Sequence, residues 1–160
     1  MDKLMVSGEA FAPVLTEVLS SGGTISLAVS GYSMSPFLKH GRDTVRLRAC
    51  TEKDLRCGQI LLFKRPDHVL VMHRVRRILP GGRLVMNGDG QAWCETISAE
   101  QVIAVVLSVE RNGRQMSNES IRFRLWSAVW YPTRPIRPVM HKIWCFLVRR
   151  GEKCRMSLDV

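Results

Sequence analysis

Apolar and polar residues alternate over several short stretches of this chain, and alternation at period two predicts β-strands. "TISLAVS" (24–30) and "TVRLRA" (44–49) alternate, and the short aliphatic runs in "QILLFKR" (59–65), "HVLVMHRVRRI" (68–78), "RLVMN" (83–87) and "VIAVVLSVERN" (102–112) read as strands as well. Turn-forming residues separate them, and "LPGGR" predicts a hairpin turn between two of them. The N-terminal stretch has a different period. Phe11, Val14, Leu15, Val18 and Leu19 recur at helical spacing, with Ser7 placed to cap and Gly22–Gly23 to stop, which predicts a helix over 8–20. In the last third, "IRFRLWSAVWYPTRPIRPVMHKIWCFLVRR" mixes arginine, tryptophan and proline, and predicts two short helices joined by a proline-rich elbow. The expected architecture is mainly β, a bent sheet or partly closed barrel, with a short N-terminal helix and a basic C-terminal helical arm. The expected division is 1–23 helix, 24–112 β-rich body and 113–160 arm.

Composition changes this picture mainly through charge. The 160 residues, 46% hydrophobic and 24% charged, suffice for one core without staples. The formal charge of +10 is unevenly placed: residues 1–110 hold 13 Lys/Arg against 11 Asp/Glu, and residues 111–160 hold 11 against 3. Two readings of the arm follow. Residues 121–150 either lie on an anionic membrane surface or pack their tryptophans onto the body with the arginines in water. Five cysteines, odd in number and without a CxxC pair, read as reduced thiols, and no finger-like Cys/His spacing suggests zinc. The first residues lack the pattern of a secretory signal, and no apolar run reaches the ~18 to 20 residues of a membrane span. The expected location is cytoplasmic or peripheral to a membrane.

Three short stretches could carry chemistry. "SGYSMSP" (30–36) ends a strand with turn residues and holds Ser33 in the turn. Strand parity sets Val69, Val71, His73 and Val75 on one face and Arg74 and Arg76 on the other, so His73 is expected on the core side. His68 falls on the opposite face as a solvated strand-start residue, and His40 and His141 have no such context. In "MNGDGQ", Asp89 sits between Gly88 and Gly90 after a strand, an ordinary tight turn or a carboxylate presented to a histidine. A serine needs a base to become a good nucleophile, and a histidine base gains from a carboxylate that fixes its tautomer. Ser33, His73 and Asp89 supply those three types.

In order, "GYSMSPFLKHGRDTV", "GQILLF", "VLVMHRV", "VMNGDG" and "VIAVVLSV" resemble the boxes of the type I signal peptidases, whose wider clan includes the self-cleaving SOS-type repressors. The resemblance covers residues 24–111. It implies Ser33 as nucleophile and, in the histidine-type branch of archaea and the endoplasmic reticulum, His73 as base with Asp89 as its acidic partner. Glu95 corresponds loosely to a second family acid. Gly31, Tyr32 and Met34 are expected to hold the oxyanion or position the substrate, with Met34 anchored inward and the Ser33 N–H helping to hold the oxyanion. The chain departs from the family in reading Gly31-Tyr32 where S-G is common, in Gln59 where an aspartate is common, and in Arg42 before Asp43.

The expected activity is therefore serine endopeptidase cleavage of an extended leader or precursor peptide with small residues before the cut. No metal or organic cofactor is implied, and nucleic acid is not an expected partner of such an enzyme. The alternative is a catalytically inactive β-module that binds peptide, anionic membrane or nucleic acid through its basic tail. A self-processing regulator is a third reading, opposed by the lack of a recognisable DNA-binding segment in the ~30 residues before Ser33.

Overall fold

Strands form where β-branched and aliphatic residues alternate, and they pair into one antiparallel sheet. The computed structural model describes residues 8–130, the side chains of residues 8–12 excepted. Helix α1 (Gly8–Ser20) is followed by β1 (Thr24–Ala28), β2 (Asp43–Ala49), β3 (Ile60–Lys64), β4 (Leu70–Ile78), β5 (Leu84–Asn87), β6 (Glu95–Ile97), β7 (Val102–Arg111), β8 (Arg114–Ser117) and helix α2 (Ile121–Trp130). The eight strands run in the order β1-β2-β7-β3-β4-β5-β6, with β8 also paired to β7. The sheet is not closed. Among the described residues, no helix is long and apolar enough to cross a membrane.

Both faces of the sheet centre are covered, which is why "ILLF" reads as a continuous apolar run. Ile60 and Leu62 join a core with Leu15, Leu19, Val45, Leu47 and Val106. Leu61 and Phe63 join a second core with Val75, Leu84, Met86, Ile97 and Val105. Register shifts at Arg46/Leu47, Leu62/Phe63 and Val75/Arg77 interrupt the ladders, as bulges that bend and twist strands do.

All six expected strands are present, and "LPGGR" makes the turn between β4 and β5, with Gly81 and Gly82 at positive φ. Two strands escaped the pattern. β6 has only three residues. β8 follows Asn112-Gly113, both at positive φ, the two-residue hairpin signal that "ERNGR" carries in plain view. The expected boundary at 112 therefore falls inside a hairpin. Val14, expected on the inner face of α1, is 51% exposed. The Ser7 cap, the Phe11 side chain, the proline elbow, the second helix of the arm and His141 lie outside the described residues.

Buried carboxylates pin the strand ends. Asp43 is ringed by Arg42 (Nε 2.8 Å, Nη2 2.7 Å), Arg111 (Nε 2.9 Å, Nη2 3.1 Å) and the Lys39 N–H at 2.9 Å. Burial alone would raise its pKa, but these donors outweigh burial and hold it well below the usual carboxylate range. Asp54 behaves alike: burial opposes, yet Arg48 and Thr51 bring it down to about 2. A carboxyl whose pKa is depressed on folding stabilises the protein above its unfolded value of ~3.9 and ceases to do so as pH falls through the folded value. The melting temperature should therefore hold steady above about pH 5 and fall toward about pH 2. Asp54→Asn should cost roughly 1–2 kcal/mol at neutral pH, a figure reduced because Arg48 is partly exposed, and should flatten the acid decline. Thermal melts from neutral to acid pH check this, and an equally steep decline in the variant would contradict it.

Candidate active site

The turn that carries Ser33 is held from both ends. Gly31 begins it at φ 83°, in the left-handed region that glycine enters freely, and its N–H donates to His40 Nδ1 at 3.3 Å. The Ser35 N–H donates to Tyr32 O at 3.0 Å, and the Leu38 N–H to Met34 O at 2.9 Å. Met34, Phe37 and Leu38 are buried in the first core, so Met34 does point inward. Tyr32 is 76% exposed and Ser33 is half-buried. At the far end, Phe37 O accepts from Arg111 Nη2 at 2.6 Å, which ties the turn to the Asp43 cluster.

The turn also rests on the Gly88–Asp89–Gly90 loop. The Gly90 N–H donates to Ser33 O at 2.8 Å. A Cβ on Gly88 would stand 2.5 Å from Ser33 O and 2.7 Å from Gln91 Oε1, a contact that requires glycine there. β4 and β5 pair Val75 with Met86 and Arg74 with Asn87. β5 ends at Asn87, so Gly88 follows directly on the strand that pairs with β4, in which His73 precedes Arg74. The Ser33 carbonyl thus fills the space that a side chain at position 88 would take. Ser33 Oγ itself makes no hydrogen bond with His73 or with any other described residue.

His73 is 1% exposed on the side of the second core, as parity predicts. Its ring lies 5.9 Å from that of Phe63 and 6.0 Å, edge-on, from that of Trp93. Nδ1 is 2.8 Å from Glu95 Oε1. The oxygen approaches off the N–H direction, so this is a close polar contact that becomes an ion pair only when the ring is protonated, and not a straight hydrogen bond. Burial lowers the His73 pKa below 6.5, opposed by Glu95. Burial pushes the Glu95 pKa up, but hydrogen bonds from Arg65 (2.7 Å each from Nε and Nη2) and the nearby His73 carry it below the ordinary value. The Arg65 guanidinium also lies 5.6 Å from the Trp93 ring centroid.

The Asp89 carboxylate, expected beside His73, is bound instead by Arg74, and its charge favours the His73 imidazolium less than Glu95 does. Arg74 Nε donates to Asp89 Oδ1 at 3.0 Å and Nη2 to Oδ2 at 2.7 Å, and both residues are buried. The physical reason is parity: Arg74 faces away from its neighbour His73, and Asp89 follows Arg74. Arg74 Nη1 donates to Gly58 O at 2.9 Å and Ser127 Oγ at 2.7 Å, and the guanidinium lies 4.8 Å from the Phe37 ring and 5.2 Å from Phe123. The sequence signal for Glu95 was faint. It sits in an unrecognised three-residue strand, and only its loose family correspondence pointed to it. His68, exposed at φ 65° in the turn before β4, takes no part.

A cleft of about 620 Å³ is lined by Arg56, Arg74, Arg76, Phe123, Arg124 and Ser127, beside α2, and includes neither Ser33 nor His73. Among the described residues, no group of three or more His, Cys, Asp or Glu could hold a metal. Cys50, Cys57 and Cys94 are free thiols. Comparison of the chain with protein-family models, with curated proteins and with solved structures finds no match.

The two carboxylates should fail differently when neutralised. Glu95→Gln removes the charge that favours imidazolium, so it should lower the His73 pKa further with a modest loss of stability. Asp89→Asn leaves Arg74 buried without its counter-charge and should cost about 3–5 kcal/mol. NMR titration of the His73 ring, paired with thermal melts, checks both. A His73 pKa unmoved by Glu95→Gln would remove Glu95 from the site.

Proposed function

We propose that the chain is a serine endopeptidase of the signal-peptidase-like clan, with Ser33 as nucleophile, His73 as base and Glu95 as the acidic partner of the histidine. The observation that carries this reading is the packing of the serine turn on Gly88, at the end of the strand paired with β4, whose buried His73 already faces a carboxylate. Ser33 Oγ would attack the peptide carbonyl while His73 Nε2 accepts its proton. The proton then passes to the leaving amine, and water attacks the acyl-enzyme by the reverse exchange. Glu95 would hold the Nδ1–H and stabilise the transient imidazolium, and Arg65 keeps Glu95 ionised. The Ser33 and Met34 N–H groups, which donate to no described acceptor, suit the oxyanion, and one such donor contributes ~3 kcal/mol in comparable sites.

The substrate would be an extended peptide, with small residues before the cut by resemblance. β1 supports the extended form: it is an edge strand with alternate residues exposed, and it leads directly into the serine turn. No cofactor enters this reaction. The competing reading, an inactive β-module, draws on the absent Ser33–His73 hydrogen bond, although catalytic contacts often tighten only with substrate bound.

Incubation with a precursor whose leader ends in small residues, read by mass spectrometry, tests the proposal. Ser33→Ala should abolish the cut and His73→Ala should cost nearly as much, because members of such a unit fail together. Glu95→Gln should cost roughly 10- to 10⁴-fold, and His68→Ala should cost little. Because burial lowers the His73 pKa, kcat/KM should rise with pH below 6.5 and level off near neutrality. Cleavage by Ser33→Ala at the wild-type rate would leave the β-module reading.

A further inference from the structure

Helix α2 is apolar on two faces, and the body uses only one. Phe123 is 2% exposed, Trp126 lies 5.4 Å from the Phe37 ring and stacks on Trp130 at 5.1 Å, and Trp130 Nε1 donates to Asp89 O at 2.8 Å. On the other side, Ile121, Leu125 and Val129 are 74%, 56% and 63% exposed. Their i, i+4, i+8 spacing makes them one stripe along the helix. Single exposed aliphatics need no explanation, but a continuous stripe marks a surface that something covers. At ~100° per residue, Arg122 and Arg124 fall on opposite flanks of that stripe. Residues 121–150 contain seven Lys/Arg and no Asp/Glu.

Charge selects the occupant. A second copy of this face would set arginines against arginines. Residues 131–160 carry seven Lys/Arg against two Asp/Glu, so they too would bring like charge to Arg122 and Arg124. A nucleic acid would satisfy the arginines and leave the aliphatic centre without an apolar partner. An anionic lipid surface suits both parts: the stripe enters the acyl boundary and the arginines meet the headgroup phosphates. We propose that α2 docks flat on an anionic membrane surface through Ile121, Leu125 and Val129, with Arg122 and Arg124 at headgroup level. Ten residues at ~1.5 Å each span about half of a ~30 Å hydrocarbon core, so the helix lies along the surface and does not cross it. The proposal stands independently of peptidase activity.

The test is co-sedimentation of the full chain with vesicles of phosphatidylcholine alone or mixed with phosphatidylglycerol. Partition onto the mixed vesicles is expected, weakening as salt rises. Leu125→Asp should reduce it roughly 10-fold or more, because it replaces a buried aliphatic contact by a charge of the wrong sign. Arg122→Gln with Arg124→Gln should reduce both the partition and its salt dependence. Both variants should keep the wild-type melting temperature and sedimentation coefficient without vesicles, since the altered residues face solvent. No partition of the wild type, or unchanged partition of Leu125→Asp, would overturn the proposal. So would a lower melting temperature or a changed oligomeric state of Leu125→Asp in solution, which would show the stripe covered by residues 131–160 or by a second copy. Binding to an oligonucleotide without binding to mixed vesicles would assign the arginines to nucleic acid instead.

Discussion

The buried pair of Arg74 and Asp89 joins the serine turn, β4, the loop after β5 and α2 around the candidate site. Through one guanidinium, β4 is joined to the loop after β5, to the Gly58 carbonyl before β3, to Ser127 of α2 and to the ring of Phe37 in the serine turn. Two charges withdrawn from water gain little net stability over apolar residues of the same volume, yet removing either one leaves the other stranded at a cost of about 3–5 kcal/mol. The pair therefore acts chiefly as a geometric constraint. With Arg74 fixed on one face, its neighbour His73 is delivered to the other. Alternation within a single strand thus separates the anchor from the titratable group.

The same alternation explains what could be read from the sequence. Short aliphatic runs located the strands that are covered on both faces, and parity along β4 placed His73 inside. It did not show which carboxylate His73 would meet, since Asp89 and Glu95 are both acidic, both close in sequence and differ only in the face they reach. Parity held the answer to half of this question. Arg74 faces opposite to His73 and is 3% exposed, and a buried guanidinium requires an anion, so one of the two carboxylates was already taken. Short strands are a different case. β6 has too few residues for a period to emerge, and β8 was marked by its Asn-Gly turn and not by its own side chains. The exposure of Val14 reflects a helix that buries a narrower stripe, Leu15 and Leu19, than its apolar content suggests.

The electrostatic balance at His73 follows from burial and three charged neighbours. Burial disfavours the imidazolium, Glu95 and, more weakly, Asp89 favour it, and Arg65 opposes it and shares the Glu95 carboxylate. Burial prevails, so the ring at neutral pH is the uncharged form that can accept a proton. An unopposed carboxylate at 2.8 Å would hold the proton on the ring and leave no free base. Arg65 moderates that attraction and, by stacking near Trp93, also braces the ring packed edge-on against His73.

The arm shows why composition alone left two readings open. Tryptophans and arginines interleaved on a short helix can face a body or a membrane, and α2 divides them by position. Phe123, Trp126 and Trp130 close the first core and support the Asp89 turn, while the aliphatics at 121, 125 and 129 stay in water. Packing the large aromatics inward leaves the smaller aliphatics outside, and an aliphatic stripe has no stabilising partner in water. Since Trp130 bonds the Asp89 carbonyl and Ser127 bonds Arg74, whatever covers the outer face of α2 is one helix diameter, ~10 Å, from the pair that positions the serine turn.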